Sequence, residues 1–446
     1  MTVGVLSVVT LVAFEAIAVA TAMPVVARDL GGIASYTWAF GAFVVASLLG
    51  MVVAGTWCDR DGPRRSLELG IVLFAGGAAA SGLAPSMTAL VLGRGVQGLG
   101  GGATIVALYV LIARAYDDAL RPRAFSALAA AWVLPAVVGP LVAGWLADHV
   151  SWRAVFLLVP VLVAPPAAVL WPRLRRYDGG DPAAVRPGRT RAGLLAALGL
   201  LLVQDGALRA GPLGVAEAVA GVALLVPALR PLLPAGSLRL ARGLPTTVVM
   251  RGVLAAGFFA AETFVPLGLS EVRGVSTTAA GFTLTAATVG WALGSYLQGR
   301  LPGDQDRART VRLGSLLVAL GVATLPVVVL VPVPPWIAGV SWFVGAIGMG
   351  LSLPSISVQT LRLSPVADQG VNSAALQLSD SVLVAVAIAG AGAVYAAAVD
   401  SGGAEPGTYA LVWLLCAGVL LAAAGLAGRM RPVAGTPGDA GGAPAT

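Results

Sequence analysis

The sequence predicts an all-α polytopic membrane protein: two six-helix bundles with two inserted helices between them, fourteen transmembrane helices in all. Three observations carry this expectation. Hydrophobic residues make up 58% of the 446-residue chain and charged residues 11%, against about 25% charged in a soluble domain. The apolar residues fall into fourteen runs near the ~20 residues that a membrane helix needs. Two regions echo each other at spacings of 242 and 244 residues.

The runs are read in order along the chain. Residues 4–26 form the first, interrupted only by Glu15. Its end, Ala18-Val19-Ala20, imitates a signal-peptidase site, but the stretch lacks a basic n-region and Glu15 breaks its core, so it is read as a retained helix. Whether the native start lies upstream of Met1 is left open. Runs follow at 38–57, 67–84, 88–113, 124–147 and 153–171. Trp38, Trp57, Trp152 and Trp171 stand at span ends as interfacial anchors. This gives an N-terminal six-helix bundle over 1–171 and a polar cytoplasmic linker over 172–191.

The pair at 192–208 and 213–232 is the weakest, because its first run is short and ends in Gln204-Asp205. It defines two inserted helices within 192–244. Runs at 246–269, 277–299, 311–332, 335–360, 372–398 and 408–428 then build a C-terminal bundle over 245–428, with Trp336 as a further anchor. The Gly-, Pro- and Ala-rich tail over 429–446 reads as disordered.

Arginine placement tests the count. The chain has no lysine, and with both termini inside, 22 of its 28 arginines fall in cytoplasmic loops or the tail, against 4 in outer loops. Arg94 and Arg251 complete the set within spans. This is the positive-inside bias. It assigns the net charge of +7 to anionic lipid rather than nucleic acid. Cys58 lies in a charged loop and Cys416 in the last run, so no disulfide framework is expected.

Within the repeat, Gly50 matches Gly294, Gly55 matches Gly299, Arg65 matches Arg309 and Gly70 matches Gly314 at a spacing of 244. Pro24 and Pro266, Asp29 and Glu271, Gly32 and Gly274, and Phe40 and Phe282 match at 242. A plain duplication would restart after the linker, near residue 191, but the second copy restarts near Pro245. The excess fits two added helices.

Four segments carry chemistry. GTWCDRDGPRR holds Gly55, Asp59, Arg60, Gly62, Arg64 and Arg65 in a sharp charged turn between two spans. Gly55 is expected to permit close helix approach, Gly62-Pro63 to make the turn, and Arg64 and Arg65 to anchor to phosphates. LVLGRGVQGLGGG places Arg94 about two turns inside the membrane, where a charge costs at least ~2.5–3.5 kcal/mol and should pair or face water. WVLPAVVGPLVAG carries Pro135, Gly139, Pro140 and Gly144. Its prolines free backbone carbonyls and its glycines allow tight packing. In FEAIAVATAMP, Glu15 falls near mid-membrane.

Together these segments resemble major facilitator superfamily transporters, specifically the fourteen-helix drug:proton antiporter branch. The loop is similar to G-x-x-x-D-R-x-G-x-R-R between helices two and three. The resemblance implies that Asp59 latches the loop against the helix beginning at Asn372; the second copy has Gly303 where Asp59 would align. LVLGRGVQG is similar to the fourth-helix pattern L-x-x-x-R-x-x-Q-G, whose arginine tunes a proton-carrying carboxylate. The fifth-helix segment resembles G-x-x-x-G-P-x-x-x-G, with Pro135 replacing the first glycine. FEAIAVATAMP resembles L-D-x-T-I-V-N-V-A-L-P, with Glu for Asp, which makes Glu15 the first choice for proton coupling together with Arg94. A structural, permanently protonated Glu15 is the other reading.

Gln97, Glu262, Trp291 and Asp380 are expected to line a substrate cavity, with Glu262 facing a cationic substrate. Arg251 lies three turns from Glu262 on the same face. Trp132 and Trp342 are deeper tryptophans that either stack on substrate or pack. The sequence shows no P-loop, metal-ligand cluster or nucleophile elbow, so neither an enzyme nor an ATP-driven pump is expected. The expected protein exports hydrophobic or amphipathic small molecules from the plasma membrane as a monomer, with the proton as coupling ion and no other cofactor. A dedicated exporter of one metabolite, or a non-transporting sensor or scaffold, remains the alternative.

Overall fold

The computed structural model describes residues 2–116, 133–177, 187–209, 211–302, 306–365, 368–400 and 405–432, and the isolated positions 127, 131, 179 and 403. Part of the linker, Gly303, Trp132 and most of the tail therefore lie outside the described residues.

Among the described residues are fourteen long helices. They are α1 (Thr2–Asp29), α2 (Tyr36–Asp61), α3 (Pro63–Gly82), α4 (Met87–Ala115), α5 (Val133–His149), α6 (Trp152–Leu174), α7 (Pro187–Leu208) and α8 (Pro212–Leu229). The remainder are α9 (Leu244–Arg273), α10 (Thr277–Gly299), α11 (Arg307–Leu330), α12 (Ile337–Leu363), α13 (Gln369–Asp400) and α14 (Pro406–Leu426). Eleven are long and apolar enough to cross a membrane. The other three have local causes: α3 opens with Arg64, Arg65 and Glu68, α5 is described over 17 residues, and α10 is rich in threonine. The linker is shorter than expected, because α6 runs on through a 3-10 turn to Tyr177 and α7 starts at Pro187.

Helix ends follow their capping chemistry. Gly62 adopts φ +88° between α2 and α3, with Pro63 opening the next helix. That conformation favours glycine, and proline at the first helical position loses no needed donor. The hydroxyls of Ser86, Ser151 and Ser276 accept backbone N–H bonds at the starts of α4, α6 and α10, and the Asp306 carboxylate does the same for α11.

Side-chain contacts sort the helix ends onto two faces. On one, Arg114 donates to the Cys58 carbonyl, Thr56 meets Thr190 and Arg431 meets Asp306; this face holds the first and last described residues, with Thr2 against Tyr116. On the other, Trp152 donates to Asp29, Arg153 to the Gly82 and Ala84 carbonyls, and Arg273 to the Val331 and Val333 carbonyls.

The two halves use the same helix pairs. α2 packs on α4 as α10 packs on α12, and α3 on α4 as α11 on α12. α1 packs on α5 and α6 as α9 does on α13 and α14. Two of the matched glycine pairs sit at these seams. A Cβ on Gly50 would lie 2.2 Å from the Leu99 carbonyl oxygen, and one on Gly294 2.2 Å from that of Ile347. Gly70 and Gly314 approach the Gly100 and Gly348 carbonyls in the same way. The periodic glycines therefore record two copies of one packing scheme.

α7 and α8 pair with each other, and α7 lies along both α2 and α13. Ala196, Ala197 and Leu200 share a core with Val45 and Leu48 of α2 and with Val382 and Ala385 of α13. The inserted hairpin thus straddles the seam between the halves. Gln204 is fully buried there against Gly41, with neither amide atom partnered among the described residues.

Candidate functional site

Glu15 and Arg94 meet inside the first half. Glu15 is near the middle of α1, and Arg94 lies two turns into α4; their side chains are 1% and 3% exposed. Arg94 Nη1 donates to Glu15 Oε1 and, at 2.8 Å, to Gln97 Oε1. Arg94 Nε donates to the Ala39 carbonyl at 3.1 Å, and the guanidinium lies 4.3 Å from the centroid of the Phe43 ring. Four partners from three helices thus hold one cation. Gln97, expected to line a cavity, is fully buried as part of this network. Its spacing of three residues from Arg94 puts both on one helix face. Glu15 Oε2 is buried with no hydrogen-bond partner among the described residues, so the carboxylate keeps one open position in a site where an unmet polar atom is costly.

The second half has its own ion pair, in a different place. Arg251 of α9 donates to Asp380 of α13 at 2.7 Å and to Ser357 of α12 at 3.2 Å. The Arg251 and Asp380 side chains are 18% and 22% exposed. Arg251 therefore pairs with Asp380 and not with Glu262. Glu262 is half-buried and makes no hydrogen bond or ion pair among the described residues. One turn away, Phe258 and Phe259 pack against Trp291, with ring centroids 5.7 and 6.3 Å apart. Trp342 is fully buried and stacks on Phe258 at 4.6 Å, which makes it packing rather than a substrate wall.

The helix motif in α5 resolves into a specific device. Proline has no N–H, so Pro135 and Pro140 leave the carbonyls of Ala131 and Ala136 without their helical donors. Thr10 of α1 donates to Ala131 at 3.3 Å, and Thr288 of α10 donates to Ala136 at 2.8 Å. Thr285 donates to the adjacent Val137 carbonyl at 3.1 Å. A Cβ on Gly144 would lie 2.6 Å from the Thr278 Cα, and one on Gly281 2.5 Å from the Pro140 oxygen, so α5 and α10 are backbone-close. Gly139 meets only ordinary contacts with Phe14. The prolines pointed to the freed carbonyls, but nothing in the sequence pointed to the threonines that take them.

Bonds between the halves gather on the face opposite the termini. Asp148, at the end of α5, accepts from the Thr277 and Thr278 N–H groups and from the Thr278 hydroxyl, capping α10. Burial pushes the Asp148 carboxyl up, but these bonds outweigh it and hold it below the usual carboxylate range. Arg28 pairs with Glu271 at 3.0 Å, and the buried Tyr36 hydroxyl donates to the Thr263 carbonyl at 2.7 Å. In this structure the two halves are closed together on that face.

The charged turn differs in part from expectation. Gly62 makes the turn, packed against the carbonyls of Tyr177 and Gly179. Gly55, expected to mediate close approach, faces open space; the close approach of α2 falls at Gly50. Arg64 pairs with Glu68 at 3.0 Å and Arg60 with Asp61 at 2.7 Å, whereas Arg65 is exposed. Asp59 is exposed at the end of α2, the helix that packs along α13. α13 begins at Gln369, three residues before the expected start, and Asn372 donates to Ser364 at 2.9 Å.

A sequence profile described as the Major Facilitator Superfamily matches residues 5–388. The chain belongs to that superfamily. It is 30% identical over 380 residues to the Uncharacterized MFS-type transporter Rv1877 of Mycobacterium tuberculosis, covering 79% of this chain and 53% of the relative. The chain thus spans about half the length of that relative. It is 26% identical over 382 residues to the Multidrug transporter protein MdtP of Bacillus subtilis, covering 83% of this chain and 70% of that protein. Among solved structures, an auto-inhibited POT family peptide transporter superposes with a TM-score of 0.71 at 15% identity, covering 96% of this chain and 97% of that one. At that identity the likeness is one of fold. This superfamily member is all-helical among the described residues, and eleven of its helices are long and apolar enough to cross a membrane.

Proposed function

We propose that this chain is a proton-coupled antiporter that exports hydrophobic or amphipathic compounds by alternating access. Fourteen helices cross the plasma membrane, with both termini cytoplasmic and the protein acting as a monomer. The observation that carries the reading is the buried Glu15–Arg94–Gln97 network, with one Glu15 oxygen left open. A carboxylate beside a cation gives up its proton more readily, and burial opposes this. The similarity to MdtP supports a multidrug cargo.

In this cycle the face opposite the termini is extracellular. Its closure by Asp148, Arg28–Glu271 and the α5–α10 bonds makes the present state inward-facing and ready to load. Substrate entering between the halves meets Glu262, Trp291 and the Arg251–Asp380 pair, and Glu15 releases its proton inward. Rocking of the halves opens the other face, where Glu15 is reprotonated and cargo leaves. The Asp59 turn braces the outward-facing state against α13. Each net charge moved inward supplies ~2.3 kcal/mol per 100 mV.

The test is Glu15→Gln in inverted vesicles carrying a pH gradient, with a panel of hydrophobic fluorescent dyes. The variant is expected to remain folded and to lose pH-driven dye accumulation. Undiminished accumulation rejects Glu15 as the coupling group.

A further inference from the structure

Beside the inserted hairpin lies a groove of about 720 Å³, walled by the first halves of α2 and α4 and by α7 from Leu194 to Asp205. Its lining is almost wholly apolar. Leu92, Val96, Leu198 and Leu201 present exposed side chains to it, and Asp205 closes one end. Along α4 the lining runs from Thr88 to Leu99, about 16 Å at 1.5 Å per residue, half the ~30 Å hydrocarbon thickness. The groove therefore has the depth of one leaflet and lies on the face opposite the termini. A Cβ on Gly95, in its wall, meets nothing within 4 Å.

The closed end carries the selective chemistry. Arg209 bridges Asp205 at 2.6 Å and Glu217 at 3.2 Å, so the cluster holds two carboxylates and one guanidinium. Its net charge favours a cation, while the half-exposed guanidinium can still meet a phosphate. We propose that this groove is a binding site for a phospholipid with a primary-amine headgroup, such as phosphatidylethanolamine, held by one acyl chain along α4 and α7. The ammonium donates hydrogen bonds to Asp205, and the phosphate faces Arg209. A choline headgroup carries no N–H to donate, and an anionic glycerol headgroup meets two carboxylates. The site needs the inserted helices, since α7 is its third wall. It is separate from Glu15 and Arg94 and rests on no reading of transport.

The test is native mass spectrometry of the full chain in detergent, delipidated and then mixed with dipalmitoyl phosphatidylethanolamine or dipalmitoyl phosphatidylcholine. The wild type is expected to retain the amine lipid about fivefold better, the size of one hydrogen bond. Gly95→Trp and Ala46→Phe fill the groove and should abolish retention. Gly418→Trp, at another exposed glycine with open space around it, should not. Asp205→Asn should keep lipid while losing the preference between headgroups. Wild-type retention in both groove-filling variants, or an unchanged preference in Asp205→Asn, overturns the assignment. A photoreactive acyl chain on the amine lipid tests the wild type directly. Labelled peptides from α4 and α7 support the site, and labels confined to other helices, as from a nonspecific annulus, refute it.

Discussion

Removing one hydroxyl from α10 should open the closed face. In Thr288→Val a methyl of nearly the same size replaces the group that donates to the Ala136 carbonyl at 2.8 Å. That carbonyl has no helical donor to fall back on, because its partner position is Pro140. The Thr288 hydroxyl also lies 3.3 Å from its own Leu284 carbonyl, but it has one proton, and the shorter contact takes it. The contact is part-buried, and leaving its acceptor unmet costs up to about 1–3 kcal/mol. The cost falls on the closed arrangement, since separating the halves exposes the same carbonyl to water. A shift of ~5- to 150-fold toward the open arrangement follows. The Thr285 bond and the Gly281 contact are untouched, so the halves should still close part of the time.

Single-molecule energy transfer between dyes on cysteines at Val150 and Trp336 reads this directly. Both positions are strongly exposed. The native Cys58 and Cys416 are buried and should take little label. Thr288→Ser restores the hydroxyl and should restore the wild-type distribution. If Thr288→Val leaves the distribution unchanged, or Thr288→Ser shifts it as far as valine does, the freed-carbonyl argument is wrong.

Other expectations follow from the same geometry. Arg94→Met alone strands the Glu15 carboxylate and should lower stability by about 3–5 kcal/mol, whereas Glu15→Gln combined with Arg94→Met should recover much of that loss; thermal unfolding in detergent separates the two. Gly50→Val should disrupt α2–α4 packing and protein yield, while Gly55→Val, facing open space, should be tolerated. The Asp148 carboxyl is held low when it caps α10, so its contribution to closure is present above the ordinary value of ~3.9 and lost as pH falls through the depressed one. The energy-transfer distribution of the wild type should therefore be flat from neutral to about pH 4 and open below it. Asp148→Asn should be more open at neutral pH and insensitive to acid, and a wild-type transition near pH 6 would contradict this.

What the sequence disclosed is what one helix can write by itself. A helix must be largely apolar to lie in lipid, and each of the fourteen expected runs overlaps a long helix, the fifth over its described residues. The repeat was legible because close backbone approach tolerates no Cβ, which leaves Gly50 and Gly294 marking the same seam. Pairings between distant helices were harder. Arg94 was found through the expense of a charge in the membrane and Glu15 through its motif, and the resemblance linked them in role, but their direct contact followed only from packing α1 beside α4. Arg251 was placed on the face of Glu262 by helical phase, yet it reaches α13 instead, because phase fixes a direction and not a partner. Thr288, Thr285 and Asp148 were missed for a related reason. A threonine within a helix or an aspartate at a helix end has many ordinary roles, and only the packing of α5 against α10 gives these theirs.

The two halves share their packing but not their charges. Gly50, Gly70, Gly294 and Gly314 occupy matched seams, whereas the first half joins α1 to α4 through Glu15–Arg94 and the second joins α9 to α13 through Arg251–Asp380. The physical origin of the difference is the tolerance of each kind of contact. A seam with a carbonyl 2.2 Å from the place of a Cβ admits one residue type, so two copies of a fold must keep it. A charge in the membrane needs only a partner or water, and any of several facing helices can supply one. The asymmetry also divides the work. The first pair is sealed, with exposures of 1% and 3%, so water reaches its carboxyl only when the surrounding helices move. The second, about one-fifth exposed, is open to whatever enters between the halves. In the proposed cycle a cargo competing for Arg251 would pull on its bond to Asp380 of α13, the helix against which both α2 and the inserted α7 pack. In the proposed cycle, loading at the open pair would therefore act on the seam that has to slide for the halves to rock.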